Sequence, residues 1–272
     1  SPVVIDQEGH VGTVQVKSRS NLTGAALSAN GRLLALCDAT SLIVFKIELD
    51  NQGKLCPVQL LHKEPIESPS SLLFSSDHLV VSCSEGGTRV YKVENASDDE
   101  ASATTTLKRI QMIVSEKQNN EWVTSVHCSE DFQWLAIVKN NIRQTGRITL
   151  HSRGHDGEFE KFWELPLVEA PVTTVTFLPD SPIRLAVACS NFACYVFDVQ
   201  KKRLSRWNED AGYPLSNVLP AELGYRQDFP ITVTANPSTP SKIVLVSLVC
   251  VEQDLAISGR LDFIVHEAVC QS

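Results

Sequence analysis

The sequence predicts an all-β fold, a β-propeller of four-stranded antiparallel blades, and three observations carry that expectation. An apolar run recurs at Leu33 (LLALC), Leu79 (LVVSC), Leu135 (LAIVK), Leu185 (LAVAC) and Ile243 (IVLVS), at steps of 46, 56, 50 and 58 residues. Each run follows a polar turn, and each turn follows a short segment with the alternation of a β-strand. No long stretch keeps the 3.6-residue period of a helix. Four short strands at a period near 50 are the mark of a propeller, whose blades run roughly 40 to 50 residues. A single blade has two apolar faces, and stacking blades covers both.

Taken in order, residues 3–16 read as a leading hairpin turned at Gln7-Glu8-Gly9-His10. The first strands of the five units read TGAALS, SSLLFS, VTSVHCS, VTTVTFL and ITVTAN. The turns after them are Ala29-Asn30-Gly31, Ser75-Ser76-Asp77, Ser129-Glu130-Asp131, Pro179-Asp180-Ser181 and Pro237-Ser238-Thr239. Third strands are expected at Ile43–Ile47, Val90–Val93, Ile148–Leu150, Tyr195–Val199 and Leu255–Ile257, and fourth strands at Ile110–Val114, Phe159–Leu165 and Leu261–Val265. This gives one domain, 1–272, with blades at about 21–66, 69–115, 122–167, 171–207 and 230–265. Five blades and a hairpin leave an ordinary ring short, so six or seven blades are expected, with some strands outside this chain or within its long connections. The acidic stretch 95–106 reads as a disordered surface loop whose Ser97, followed by Asp98 to Glu100, resembles an acidophilic kinase site; a plain solvated spacer is the favoured reading. The insertion 208–228 carries enough apolar residues to pack on a propeller surface.

At 43% apolar and 21% charged residues, whole-chain disorder and a collagen-like fibre are excluded. The longest apolar run, Ile243 to Val251, falls far short of the roughly 20 residues of a membrane-spanning helix, so no membrane role is expected. A formal net charge of -8 does not attract polyphosphate in bulk, which makes protein the default partner and requires a local basic patch for any nucleic acid. The opening Ser1-Pro2 and the single Met112 suggest a fragment, so no targeting signal is read from its start. Cys37, Cys83 and Cys189 close apolar runs, and Cys189 and Cys194 lie on facing strands with no second pair for zinc, so they read as buried free thiols. The triplets Asn21-Leu22-Thr23 and Asn95-Ala96-Ser97 keep a secreted propeller in view.

The sequence holds no nucleophile elbow, phosphate loop or metalloprotease helix, so no enzyme, cofactor or small-molecule substrate is expected. His151, His155 and Asp156 are the one local His/Asp cluster, read as a polar hairpin tip in a Gly-rich turn rather than a metal site. His127 and His266 read as structural histidines within strands, and Trp122, Trp134 and Trp163 as fillers between blades. Lys201, Lys202, Arg203 and Arg206, closing on Trp207, form the best basic strip, where an aromatic could stack on a base and cations meet phosphate. A solvated strand or a contact with an acidic partner is the favoured reading of that strip.

The strand ends VFKI (44–47), VYKV (90–93) and VFDV (196–199) look like degenerate WD40 third strands that have lost the Trp-Asp pair. From Trp122 to Val246 the likeness sharpens: VTSVHCSEDFQWLAIV, then APVTTVTFLPDSPIRLAVACSNFACYVFDVQKKRLSRW, then Leu219-Pro220, then RQDFPITVTANPSTPSKIVLV. That order resembles the C-terminal propeller half of the cirhin family, tandem WD40-propeller subunits of the UTP-A group of the small-subunit processome. In that family a basic segment closes on Trp, as Lys201 to Trp207 do here, and an acidic-Pro-Ile-Thr follows, from which Asp228-Phe229-Pro230-Ile231-Thr232 departs by an interposed Phe. The resemblance covers about half the chain well and Asn21–Glu48 less closely. It implies a non-enzymatic nucleolar scaffold in small-ribosomal-subunit assembly and pre-rRNA processing, with other processome subunits as partners and pre-rRNA touched directly or through them. Tyr213, Tyr225 and Arg226 of the long insertion are expected as partner anchors, or equally as internal packing. The rivals are a WD40 adaptor unrelated to ribosomes, such as a coat or ubiquitin-ligase receptor, and a secreted glycan-binding or hydrolytic propeller.

Overall fold

The computed structural model describes residues 14, 16–18, 20–51, 53–85, 87–96, 104–114, 120–143, 145–168, 170–179, 183–191, 193–205, 229–236, 239–251 and 260–269, with side chains at these positions through Ser205 except 95, 96 and 104. They divide into two units, Ser1–Ser115 and Glu116–Ser272.

The first unit holds two antiparallel four-stranded sheets. One is formed by β1 (Leu22–Leu27), β2 (Leu33–Asp38), β3 (Ser41–Lys46) and β4 (Gln59–Pro65). The other is formed by β5 (Pro69–Ser75), β6 (His78–Cys83), β7 (Gly87–Ala96) and β8 (Thr104–Ile113). In both, each strand pairs with its neighbour in sequence, the meander of a propeller blade. The second strands read as unbroken apolar runs because they are covered on both faces: every residue of β6 is buried. Ala35, Leu42, Val44, Leu79, Val81 and Tyr91 form the core where the two sheets meet.

The second unit repeats the pattern with β9 (Glu121–Cys128), β10 (Trp134–Asn141), β11 (Gly146–Arg153) and β12 (Phe159–Glu164), then β13 (Val172–Leu178), β14 (Arg184–Cys189), β15 (Cys194–Asp198) and the two-residue β16 (Arg203–Leu204). A three-stranded sheet follows, β17 (Phe229–Asn236), β18 (Thr239–Val251) and β19 (Arg260–Val269). Val138, Ile148, Leu150, Val175, Leu185 and Phe197 lie in the core between the two four-stranded sheets.

Side chains close the turns between first and second strands. Ser28 Oγ donates to Asn30 Oδ1 at 2.8 Å and accepts the Leu33 N–H at 2.9 Å, while Asn30 Oδ1 also accepts the Arg32 N–H at 3.0 Å. In the third sheet Ser129 and Asp131 repeat the arrangement, with Trp134 N–H on Ser129 Oγ at 3.0 Å and Gln133 N–H on Asp131 Oδ1 at 3.1 Å. The turn needs a left-handed residue in fourth place: Gly31 supplies it at φ +70°, and Phe132 supplies it at φ +53°. Phe132 offsets that strain by burying its ring edge-on against Phe159, 5.2 Å between centroids.

Several expectations are corrected. β7 and β8 continue past Val93 into the acidic stretch, pairing Asn95 with Thr105 and Ala96 with Thr104, so its two ends are ladder and 97–103 lie outside the described residues. β19 pairs directly with β18, which makes Leu261–Val265 a third strand rather than a fourth, and 255–257 lie outside the described residues. His151 belongs to β11, opposite Leu135 and Lys161, and not to the turn at Gly154–Gly157. The leading hairpin, except for 14 and 16, and the insertion 208–228 also lie outside the described residues. No disulfide joins the six cysteines whose side chains are described, and Cys37, Cys83, Cys189 and Cys194 are buried as expected. Burial pushes the Cys189 thiol up to about 12.

Candidate functional site

The basic strip is only partly available for a partner. Lys201 donates from its backbone to Asp198 Oδ1 at 3.0 Å and pairs through Nζ with Asp198 Oδ2 at 3.0 Å. Burial works against the Asp198 charge, but this hydrogen bond and the charges of Lys201 and Arg203 hold its carboxyl below the usual range. Lys202, at φ +52°, turns back onto the neighbouring sheet: its Nζ donates to the Phe162 carbonyl at 2.9 Å and sits 4.1 Å from the Phe162 ring centroid. Two of the three described cations therefore serve the molecule itself, and Arg203 stays exposed beside them. Arg206, Trp207, Tyr213, Tyr225 and Arg226 lie outside the described residues.

A second surface was not read from the sequence as a contact. Trp122 was expected between blades, yet it is 41% exposed on β9, and Ile142 (71%) and Leu167 (56%) are exposed with it. Strand register puts all three at one end of the third sheet. Trp122 stands opposite Asn140, Ile142 is in the turn that leaves Asn141, and Leu167 precedes Val168, which bridges to Gly146 on the far side of that turn. The platform beneath is rigid. Asn140 receives the Val172 N–H on Oδ1 and donates from Nδ2 to the Val172 carbonyl, both at 2.9 Å, joining two sheets through a buried amide. Arg147 bridges Glu121 at 3.2 Å and Glu164 at 2.5 Å. Gly146 has to be glycine, because a Cβ there would stand 2.5 Å from the Val172 side chain. Exposed apolar residues headed by a tryptophan on a stiff support are the usual makings of an interface anchor.

Among the described residues no three His, Cys, Asp or Glu are grouped to hold a metal ion. Burial lowers the His127 and His151 imidazoles to about 4, and His127 is hydrogen-bonded to Ser125 at 3.0 Å.

The sheets are WD40-type β-propeller blades. They are similar to Sqt1 of Chaetomium thermophilum bound to the N-terminus of ribosomal protein L10, at a TM-score of 0.56 and 15% identity over 90% of this chain and 65% of that one. They are also similar to a functionally unknown protein of Desulfotomaculum acetoxidans DSM 771, at a TM-score of 0.53 and 11% identity over 92% of this chain and 70% of that one. These likenesses define the fold class, a WD40-type β-propeller. Among curated proteins the chain is similar to U3 small nucleolar RNA-associated protein 4 of Schizosaccharomyces pombe, 24% identical over 210 residues. That similarity runs in the same direction as the cirhin resemblance drawn from the residues. The match takes in 72% of this chain and 28% of the curated relative's length. No family model matches the chain.

Proposed function

We propose that this chain is a non-enzymatic WD40 scaffold of the small-subunit processome, acting in the nucleolus in pre-rRNA processing through contacts with other processome subunits. The observation that supports it is the similarity to the U3 small nucleolar RNA-associated protein along most of the chain, carried on blades rather than on a catalytic constellation. Rigid sheets hold short loops in fixed positions, and binding energy comes from a few buried anchors. The Trp122, Ile142 and Leu167 surface is one such anchor set; Arg203, with Arg206, Trp207, Tyr213, Tyr225 and Arg226, is the other. With Lys201 and Lys202 committed internally, pre-rRNA is reached chiefly through partner subunits.

The test is affinity purification of the tagged full-length protein from nuclear extract, with mass spectrometry and probing for precursor rRNA. Processome subunits and precursor rRNA are the expected partners, and Trp122→Glu with Ile142→Glu should remove a subset of the subunits. A coherent set of coat, ubiquitin-ligase or lumenal partners in their place would overturn the proposal.

A further inference from the structure

We propose that Asn30-Gly31 is a deamidation site gated by the fold: the turn after β1 keeps the pair unreactive, and the amide is lost only when that turn opens. The chemistry is intrinsic to the pair. The backbone nitrogen of the residue after an asparagine attacks the side-chain carbon, so that an N–Cγ bond forms, the Cγ–Nδ2 bond breaks and ammonia leaves with the amide proton. Water then opens the succinimide to aspartate or isoaspartate, and no other reactant is needed. Glycine in second place speeds the attack because no Cβ obstructs it. Asn30-Gly31 is the one Asn-Gly pair in the sequence, and Asn30 is exposed, so water and base reach it.

Both reacting groups are held. The Gly31 N–H, whose nitrogen must attack, donates to the Ser28 carbonyl at 2.8 Å. Asn30 Oδ1 accepts from Ser28 Oγ at 2.8 Å and from the Arg32 N–H at 3.0 Å, which fixes the carboxamide. Ser28 is itself buried and anchored, its Oγ accepting the Leu33 N–H at 2.9 Å. To close the ring, the carboxamide must rotate until Cγ faces the Gly31 nitrogen, and that nitrogen must give up its proton. Reaction therefore runs through the opened turn, at the intrinsic rate multiplied by the open fraction.

The third sheet shows how the aspartate product is accommodated. Asp131 stands there in the place of Asn30, accepting from Ser129 Oγ at 2.5 Å and from the Gln133 N–H at 3.1 Å. Aspartate at position 30 keeps the same bonds. Isoaspartate adds a backbone carbon between positions 30 and 31 and cannot keep the Gly31 and Arg32 bonds together. One product closes the turn again and the other locks it open.

The measurement is peptide mapping of the purified chain held at neutral pH and body temperature, against a synthetic peptide of residues 20–32 in the same buffer. Trypsin releases that fragment, Ser20–Arg32, from the chain, and its Asn21, followed by Leu22, is an internal control. Tandem mass spectrometry locates the lost amide. Asn30 should convert at least about tenfold more slowly in the folded chain than in the peptide. Ser28→Ala removes both Oγ bonds and should speed conversion by about threefold or more, while Ser129→Ala, the matching change in the third sheet, should leave it within about twofold. Circular dichroism confirms that each variant is folded; if Ser28→Ala does not fold, the comparison of parent and peptide still decides. Asn30→Asp, the direct product, should fold as the parent does. The proposal is overturned if the folded chain loses the amide as fast as the peptide, if folded Ser28→Ala reacts no faster than the parent, if Ser129→Ala speeds it equally, or if Asn30→Asp does not fold.

Discussion

The two units join their sheets by opposite means. In the first, the outer half of the seam is ionic: Glu64 on β4 meets Arg89 and the fully buried Tyr91 on β7. In the second, Asn140 joins β10 to the backbone of Val172, and Trp163 packs edge-on against Phe197 with centroids 5.8 Å apart. A neutral amide matched to one N–H and one C=O costs little desolvation, whereas a charged pair must recover the hydration of both ions. One would expect the ionic seam to fail first in acid. The titrating groups point the other way, because the buried histidines described above belong to the second unit.

The largest expected effect tests that reversal. The folded imidazoles of His127 and His151 titrate near 4 against 6.5 for the free group, so the unfolded chain takes up the protons first. Stability of the second unit is therefore full above pH 6.5 and falls steadily toward pH 4, by roughly 3 kcal/mol for His151 and by less for His127, which solvent partly reaches. In the first unit, burial opposes the charge on Glu64, but hydrogen bonds from Tyr91, Arg89 and His62 hold its carboxyl below the usual range. Its contribution is complete above the ordinary carboxylate pKa of about 4.3 and is lost only as pH falls below that. All four tryptophans, at 122, 134, 163 and 207, lie in the second unit, so fluorescence-detected urea unfolding follows that unit while hydrogen exchange of β6 and β7 follows the first. The fluorescence midpoint should drop between pH 6.5 and 4 with β6 and β7 still protected. His127→Gln with His151→Gln should flatten the drop, and an unchanged slope in that variant would break the comparison.

Next in size is Asn140→Ala, which orphans the buried Val172 N–H and C=O and should cost roughly 2 to 4 kcal/mol in the same unfolding assay. Arg89→Met leaves Glu64 without its cation in a site only about a fifth exposed, for an expected loss of roughly 2 to 3 kcal/mol read as weaker exchange protection in β6 and β7. Tyr91→Phe keeps the ring and the Arg89 pair and should cost about 1 kcal/mol; equal losses for Tyr91→Phe and Arg89→Met would show that the seam depends on packing rather than charge.

The blades were legible because their signals are local. Runs such as LLALC and LAVAC, with a polar turn before each, fix a meander within about twenty residues, and β2 and β14 fall where those runs stand. The seams were not legible. Asn140 and Val172 are 32 residues apart, and nothing in the composition around Asn140 marks it as a strand mimic. His151 was read into a turn because Gly154 and Gly157 follow it, yet the ladder of β11 runs on to Arg153. Trp122 was assigned to the interior by its type, while its place at the start of β9 leaves it in solvent. The basic strip was found from sequence, but that Lys202 turns inward follows from its left-handed backbone, which composition does not reveal.

The serine-and-Asx turns also set an order in time. Their bonds, Ser28 to Leu33 and Ser129 to Trp134, span five residues, so the first hairpin of each sheet can close within microseconds of leaving the ribosome. The clasp at Val172 must wait for a further 32 residues of chain. Blades of this protein therefore take shape one hairpin at a time, and a half-made blade carries a bare apolar face until the next one is synthesised, the interval in which a nascent chain most needs shielding from its neighbours.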